Sequence, residues 1–352
     1  MPASIDQVAA IVPNRVRALL AGVEPAVVAE LEEIRLRLGR PVMLVTPRGD
    51  LYLARSGGVS ADPGEAYIFS RDDAGKTLQL MCSGSVYAVE EELRNGYLTL
   101  PGGHRVGITG RAVLEGGRVK TQRDVTGFCI RISRQVIGAA DKVMPHCVQR
   151  GARGRERFLH TLIISPPRCG KTTLLRDMIR QLSNGFRIPD GSGGAGGASS
   201  ASSASGTSGA GSSIRGFKVA VVDERSEIAA CYQGEPQNDM GVRTDVLDSC
   251  PKAEGIMMLI RAMSPDVIAT DELGRAEDAE SIEEAVNAGV SILATAHGSS
   301  LEELARRPTL NKLLGWKAFE RLIFLGQTLG PGTVERIVDG ISGAVILNGP
   351  VR

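Results

Sequence analysis

Histidine, tryptophan and net charge are what this chain has least of. Its 352 residues include four histidines and one tryptophan, aromatics are 4% of the total, and 41 Lys and Arg against 40 Asp and Glu leave a formal charge of +1. With no overall charge of either sign the chain as a whole is not drawn to nucleic acid, anionic lipid or polyanionic substrates, so any basic recognition must be local. The six cysteines, at 82, 129, 147, 169, 231 and 250, contain no C-x-x-C pair, and so few histidines leave no zinc-ligand spacing. They are expected to be reduced, buried thiols of a cytoplasmic protein. No apolar run reaches the roughly 18 residues that cross a bilayer. Residues 1–21 carry Asp6 and no long apolar stretch, so they do not read as a secretory signal.

What is present is enough chain for about two domains, with an aliphatic composition that suits an α/β core. The spacing of Val27, Leu31, Ile34 and Leu38 predicts a helix stopped by Gly39 and Pro41. A hairpin is expected next, Val42–Thr46 and Leu51–Ala54 about the turn Pro47-Arg48-Gly49-Asp50. Helices near 71–82 and 85–95 and a meander follow, made of Tyr97–Leu100, Arg105–Leu114, a Gly116-Gly117 turn and Phe128–Ile132. This predicts an α+β domain over 1–137. Beyond it, strands near 161–165, 217–222, 266–270 and 290–295 alternate with helices, the pattern of a mostly parallel sheet over 138–352. The run Gly191–Ser213 holds only Gly, Ala, Ser and Thr, cannot bury apolar area, and is expected to be a flexible insertion spanning about 190–214.

The strand-like run Leu162-Ile163-Ile164-Ser165 leads into Pro166-Pro167-Arg168-Cys169-Gly170-Lys171-Thr172-Thr173 and then the helical LLRDMIRQL. This is a P-loop in its strand, loop, helix context, with Ser165 where the motif has its first glycine. Residues 165–173, through the backbone N–H groups of all but Pro166 and Pro167, and the helix N-terminus would cradle phosphates, Lys171 would neutralise the β/γ oxygens, and the Thr172 hydroxyl would reach Mg²⁺. Such a loop needs acids at a neighbouring strand end. Asp266–Thr270 ends in Asp271 and Glu272, read as metal holder and water-activating base, unless both merely cap the helix near Arg275. Val219–Val222 ends likewise in Asp223 and Glu224, so either run can supply the metal carboxylate. A third run, Ser291–Ala296, ends in His297, which is structural or senses the γ-phosphate.

With these four sites in this order, the chain resembles the P-loop ATPases of type II and type IV secretion systems, in which Walker A, Asp box, Walker B and His box follow one another. More narrowly it is similar to the AA proteins of sporulation stage III in endospore-forming bacteria. The residues that carry the match are EEIRLRLGRP (32–41), GGHRVGITGR (102–111), SPPRCGKTTLLRD (165–177), VVDERSEIAA (221–230), the run from Arg243 to Gly274, and TAHG (295–298). The resemblance implies a RecA-like/AAA+ core, ATP and Mg²⁺ as ligands, Asp223 and Glu224 in the Asp box, Glu272 as the Walker B catalytic acid and His297 in the His box. It also implies a homo-oligomeric, hexameric ring in the mother-cell cytoplasm, peripheral to the membrane, acting on membrane-embedded sporulation channel proteins. Asp271 stands where many secretion ATPases have Gly, so its metal role comes from the residue pattern alone.

Such rings close each ATP site with arginines from a second domain or subunit. From His104 to Arg134, seven cations oppose only Glu115 and Asp124. Arg111, Arg123 and Arg131 are the candidates there, with Arg243 and Arg261 behind them. An exposed basic sheet face and a nucleic-acid surface compete for the same residues. Two other function classes remain: a nucleic-acid-dependent RecA-like ATPase, disfavoured because no basic groove exists outside 104–134, and an ATP-gated scaffold with little turnover, disfavoured by intact Lys171, Thr172 and Glu272.

Overall fold

The structure is a computed structural model and describes residues 3–82, 90–150, 156–188 and 212–352. These divide into two compact units, Met1–Arg134 with Ala230–Gln237, and Gln135–Ala229 with Asn238–Arg352. The return of 230–237 to the first unit is a feature that no composition shift announces.

The first unit opens with α1 (Ala3–Ala10), α2 (Asn14–Ala21) and α3 (Pro25–Glu30). β1 (Glu33–Arg37), β2 (Met43–Thr46), β3 (Gly49–Leu53) and β4 (Val59–Ser60) follow, then α4 (Arg71–Met81), α5 (Glu90–Asn95), β5 (Tyr97–Leu100), β6 (His104–Glu115) and β7 (Arg118–Arg131). The strands form one antiparallel sheet in the order β4-β3-β2-β1-β7-β6-β5. The helix expected over 27–38 is corrected: it ends at Glu30, and β1 takes over. Ile34 and Leu36 are buried in a two-residue alternation while β1 pairs with both β2 and β7. Apolar residues three and four apart fit a helix, but the same residues fit a strand once two neighbours offer their ladders. The hairpin β2–β3 lies where expected, as does α4, whose Ser70 and Asp73 form a reciprocal capping box. The expected helix 85–95 is described only from Glu90, its earlier part lying outside the described residues. β7 starts ten residues before the expected Phe128, because β6 and β7 run on together as an exposed ribbon past Thr109.

The second unit contains α6 (Met144–Cys147), β8 (Val148–Arg150), β9 (Glu156–Phe158), β10 (Thr161–Ser165), α7 (Lys171–Asn184), β11 (Phe186–Ile188), β12 (Ser212–Ile214) and β13 (Val219–Asp223). Then come β14 (Thr244–Asp248), α8 (Lys252–Met263), β15 (Val267–Thr270), α9 (Ala276–Asn287), β16 (Ser291–His297), α10 (Leu301–Ala305), α11 (Pro308–Gly315), β17 (Arg321–Gly326), β18 (Thr333–Asp339) and β19 (Val345–Val351). Its main sheet runs β14-β13-β15-β16-β10-β17-β18-β19, parallel from β14 to β17 and antiparallel beyond. β10, β13 and β15 are buried at every position, as strands covered on both faces by helices must be. Their apolar runs stop where the chain needs polar groups, which places Ser165, Asp223, Asp271 and His297 at the carboxyl ends of four parallel strands, the side on which open α/β sheets bind ligands. The Gly/Ala/Ser run lies outside the described residues except Ser212 and Ser213, which belong to β12. Among the described residues no helix is long and apolar enough to cross a membrane.

Candidate nucleotide-binding site

The loop between β10 and α7 is set by backbone conformation before any side chain acts. Gly170 has φ +84° and caps α7 in the left-handed region, with the backbone of Gly332 3.1 Å from where a Cβ would sit. A side chain there meets both strain and a clash. Ser165, the residue that departs from the motif, ends β10 opposite His297 without needing a positive φ. The loop's other left-handed residue is Arg168, φ +61°. Pro167 and Arg168 are exposed, Pro166, Thr172 and Thr173 half-buried, and Cys169 buried, its backbone C=O accepting the Gly332 N–H at 3.1 Å.

Lys171, the first residue of α7, is 7% exposed. Burial pushes its pKa down, and the Glu272 carboxylate opposes that shift. Its Nζ lies 3.4 Å from the Ser165 carbonyl, 3.3 Å from the Pro166 carbonyl and 3.0 Å from His297 Nδ1. An ammonium only donates, so His297 Nδ1 accepts and Nε2 carries the ring proton. That proton faces Glu272 Oε1 at 2.7 Å. The result is a directed chain, Lys171 to His297 to Glu272, with Arg225 Nη1 3.4 Å from the other Glu272 oxygen. Glu272 itself sits at φ +40°, its N–H donating to Thr295 Oγ1 at 2.9 Å. Pro166, Pro167 and His297 also line a cavity of about 390 Å³ with Glu303 and Arg307, which pair at 3.2 Å.

The remaining acids separate. Both oxygens of fully buried Asp223 accept backbone N–H groups, from Glu227 at 2.8 Å, Ile228 at 2.9 Å and Ala229 at 2.8 Å. Burial raises its pKa, and the three amides oppose the rise. Glu224 is held between Lys252 at 3.2 Å and Arg275 at 3.1 Å. Asp271 is 3% exposed with Lys252 Nζ 4.0 Å away. Burial first, with the charges of Asp223, Glu227 and Glu272, lifts it to about 7 although Lys252 pulls it down. Neither Asp271 nor Glu272 caps the following helix: Asp278 does, accepting the Gly274 and Arg275 N–H groups at 2.9 Å each.

Sequence reasoning missed Lys252, Arg225 and Arg307. Arg225 and Lys252 lie within matched runs but at positions to which the residue pattern gives no role, and Arg307 lies outside them; the fold brings the first two to the acid pairs at the strand ends and the third to the cavity. Arg111 and Arg123 face one another across β6 and β7, and Arg131 opposes Arg105 with its Nε 3.6 Å from Glu33; all three belong to the first unit, the P-loop to the second. Arg243 donates to the Ser183 carbonyl at 2.8 Å, a structural tie, while Arg261 is exposed in the last turn of α8. None of the six cysteines is in a disulfide, and Cys129 and Cys250 are only half-buried, against the expectation that all are buried.

Among solved structures the chain is similar to the pilus retraction motor PilT with bound ADP, at 13% identity and a TM-score of 0.51 over 91% of this chain and 77% of that one. The ATPase DotB of Legionella pneumophila also matches, at 14% identity and a TM-score of 0.48 over 91% and 76%. At such identity the PilT likeness speaks for fold, and it agrees with the strand–loop–helix core described above: the second unit is a RecA-like P-loop domain. The stage III sporulation protein AA of Bacillus subtilis (strain 168) is 40% identical over 335 residues, 95% of each chain. A family model described as sporulation stage III, protein AA matches residues 3–345, and the chain therefore belongs to that family.

Proposed function

We propose that this protein is a Mg²⁺-dependent ATPase whose turnover drives assembly of, or transport through, the channel complex between mother cell and forespore. The observation that supports it most is the Lys171–His297–Glu272 chain at the mouth of the P-loop. Phosphate oxygens are stronger acceptors for an ammonium than imidazole or carbonyl groups, so Lys171 passes to the β/γ-phosphates when ATP binds. His297, which loses the Lys171 donor at Nδ1, would donate to the γ-phosphate only once Nδ1 also carries a proton, and Glu272, still beside His297 Nε2, accepts the proton of the attacking water. The proton leaves with the phosphate product or to solvent.

Residues that fit a metal are few, which is the pattern of Mg²⁺ delivered with nucleotide rather than caged by protein. Among the described residues no group of three His, Cys, Asp or Glu side chains is placed to hold an ion. Thr172 is the direct ligand in this reading and Asp271 reaches the ion's water shell, while Asp223, saturated by amides, organises the loop after β13. When bound, Mg²⁺ neutralises charge on the β- and γ-phosphate oxygens.

ATP hydrolysis and binding by purified protein test the site. Lys171→Ala is expected to lose tight ATP binding, and Glu272→Gln to bind ATP while turnover falls about 10²- to 10⁴-fold, as for a lost general base. Turnover near wild type in Glu272→Gln sinks the assignment.

A hexameric ring in the mother-cell cytoplasm completes the proposal, with Arg111, Arg123 or Arg131 reaching a neighbour's γ-phosphate. Mixing inactive Arg131→Ala and Lys171→Ala subunits checks this, since a Lys171→Ala subunit still donates its arginine. Recovered activity on co-assembly is expected; none, with co-assembly demonstrated, confines Arg131 to its own subunit.

A further inference from the structure

Lys252 stands where elementary electrostatics argues against a lysine. It is the first residue of α8, at the positive end of the helix dipole, and only 7% exposed. Acidic residues are the usual occupants of such a turn. A buried ammonium persists only if each N–H finds an acceptor. Here the acceptors are the backbone carbonyls of Asp271 and Glu272, each 3.0 Å from Nζ, and Glu224 Oε2 at 3.2 Å, with Asp271 Oδ1 at 4.0 Å. Arg275 closes the other side of Glu224 at 3.1 Å.

The two carbonyls matter because of where they lie. Glu272 has φ +40°, a left-handed conformation that a residue with a Cβ seldom adopts. It persists when its surroundings over-determine it. The N–H side of the turn is fixed by β16, Glu272 N donating to Thr295 Oγ1 at 2.9 Å and Leu273 N to the Thr295 carbonyl at 2.8 Å. The C=O side is fixed by Lys252. With both held, the Glu272 carboxylate stays 2.7 Å from His297 Nε2. Through Glu224, the same ammonium ties the end of β13 to the end of β15.

We propose that Lys252 is a positioning residue: it clamps the Asp271–Glu272 turn so that the Glu272 carboxylate remains against His297, and it touches neither nucleotide nor water itself. This rests on Glu272 being the catalytic base proposed above. The alternative is a buried ion pair that serves stability alone.

A double-mutant cycle separates the two. Steady-state ATPase and binding of a fluorescent ATP analogue are measured for wild type, Lys252→Met, Glu272→Gln and the double variant, with thermal melts to confirm folding. Lys252→Met is expected to lower kcat about 10- to 100-fold, the scale of a displaced catalytic group, while KM and nucleotide affinity stay within about threefold. The double variant is expected to match Glu272→Gln within about twofold, because a residue acting through Glu272 has nothing left to act on once the base is gone. Losses that multiply, or a folded Lys252→Met with kcat within about twofold of wild type, overturn the clamp while leaving Glu272 as base. A Glu272→Gln protein with wild-type kcat defeats the proposed function, and the clamp with it. If Lys252→Met does not fold, Lys252→Gln, which keeps a donor for one carbonyl, takes its place in the cycle; failure of both to fold makes Lys252 a stability residue and overturns the proposal.

Discussion

β13 and β15 are neighbours in one parallel sheet, and each ends an apolar run with an acid pair, Asp223-Glu224 and Asp271-Glu272. The first acid of β13 is spent on the backbone, accepting three successive N–H groups of the loop that follows. Arg176 on α7 completes that loop by donating to the carbonyls of Ile228 at 2.7 Å and Glu227 at 2.9 Å. The first acid of β15 accepts no such amides; it is buried next to one ammonium. The second acids differ as well, Glu224 being locked between two cations while Glu272 reaches the P-loop lysine through His297. The same acid pair at the end of an apolar run thus has two different settings. What separates them is which distant residues the fold delivers: amides four to six residues on at one strand end, and residues 252, 295 and 297 at the other.

The largest expected departure between the two strand ends is in stability at their first acids. Asp223→Asn exchanges one accepting oxygen for an NH₂ group that meets an N–H donor instead of an acceptor. An unpartnered buried donor costs about 1–3 kcal/mol, and this substitution creates at least one such donor in addition to a donor–donor contact. A loss of roughly 3 kcal/mol or more in folding free energy is expected, read by thermal or denaturant unfolding. If Asp223→Asn instead folds like wild type and loses only Mg²⁺-dependent turnover, Asp223 is a metal carboxylate and the contrast between the strands collapses.

How far this contrast was legible in the sequence follows from the same geometry. The strand–loop–helix unit was readable because its parts are contiguous, and Gly170, Lys171 and Thr172 are consecutive residues. The strands carrying Asp223, Asp271 and His297 were readable as apolar runs closed by polar residues. Which acid does what was not, since Lys252 lies about 20 residues from Asp271 and Glu272, and Arg176 about 50 from the loop it braces. In the first unit the error ran the other way. Leu31, Ile34 and Leu38 carry a helical spacing that pairing of β1 with β2 and β7 overrode, because ladder partners from residues 43–45 and 127–131 are invisible in a local window. The transfer of Ala230–Gln237 to the first unit had no signal at all: its Gly102 N–H to Gln237 Oε1 bond, 2.8 Å, joins residues 135 positions apart.

The second expected effect, at Asp271, has the opposite sign. Burial raises its pKa from the ordinary 3.8 to about 7. A carboxyl with a higher pKa in the folded state binds a proton on folding. It therefore favours the folded state below its unfolded value, and that contribution is lost as pH rises through about 7. Asparagine mimics the protonated acid at every pH and never bears the buried charge. Asp271→Asn should then melt close to wild type near pH 4, gain on it progressively as pH rises from about 4 to about 7, and keep a constant lead above that, while Lys252 keeps Glu224 and the two carbonyls as acceptors. A melting temperature below wild type at every pH would mean that the Asp271 charge is net favourable beside Lys252 at 4.0 Å. The two first acids would then share one stabilising role, and only the second acids would distinguish β13 from β15.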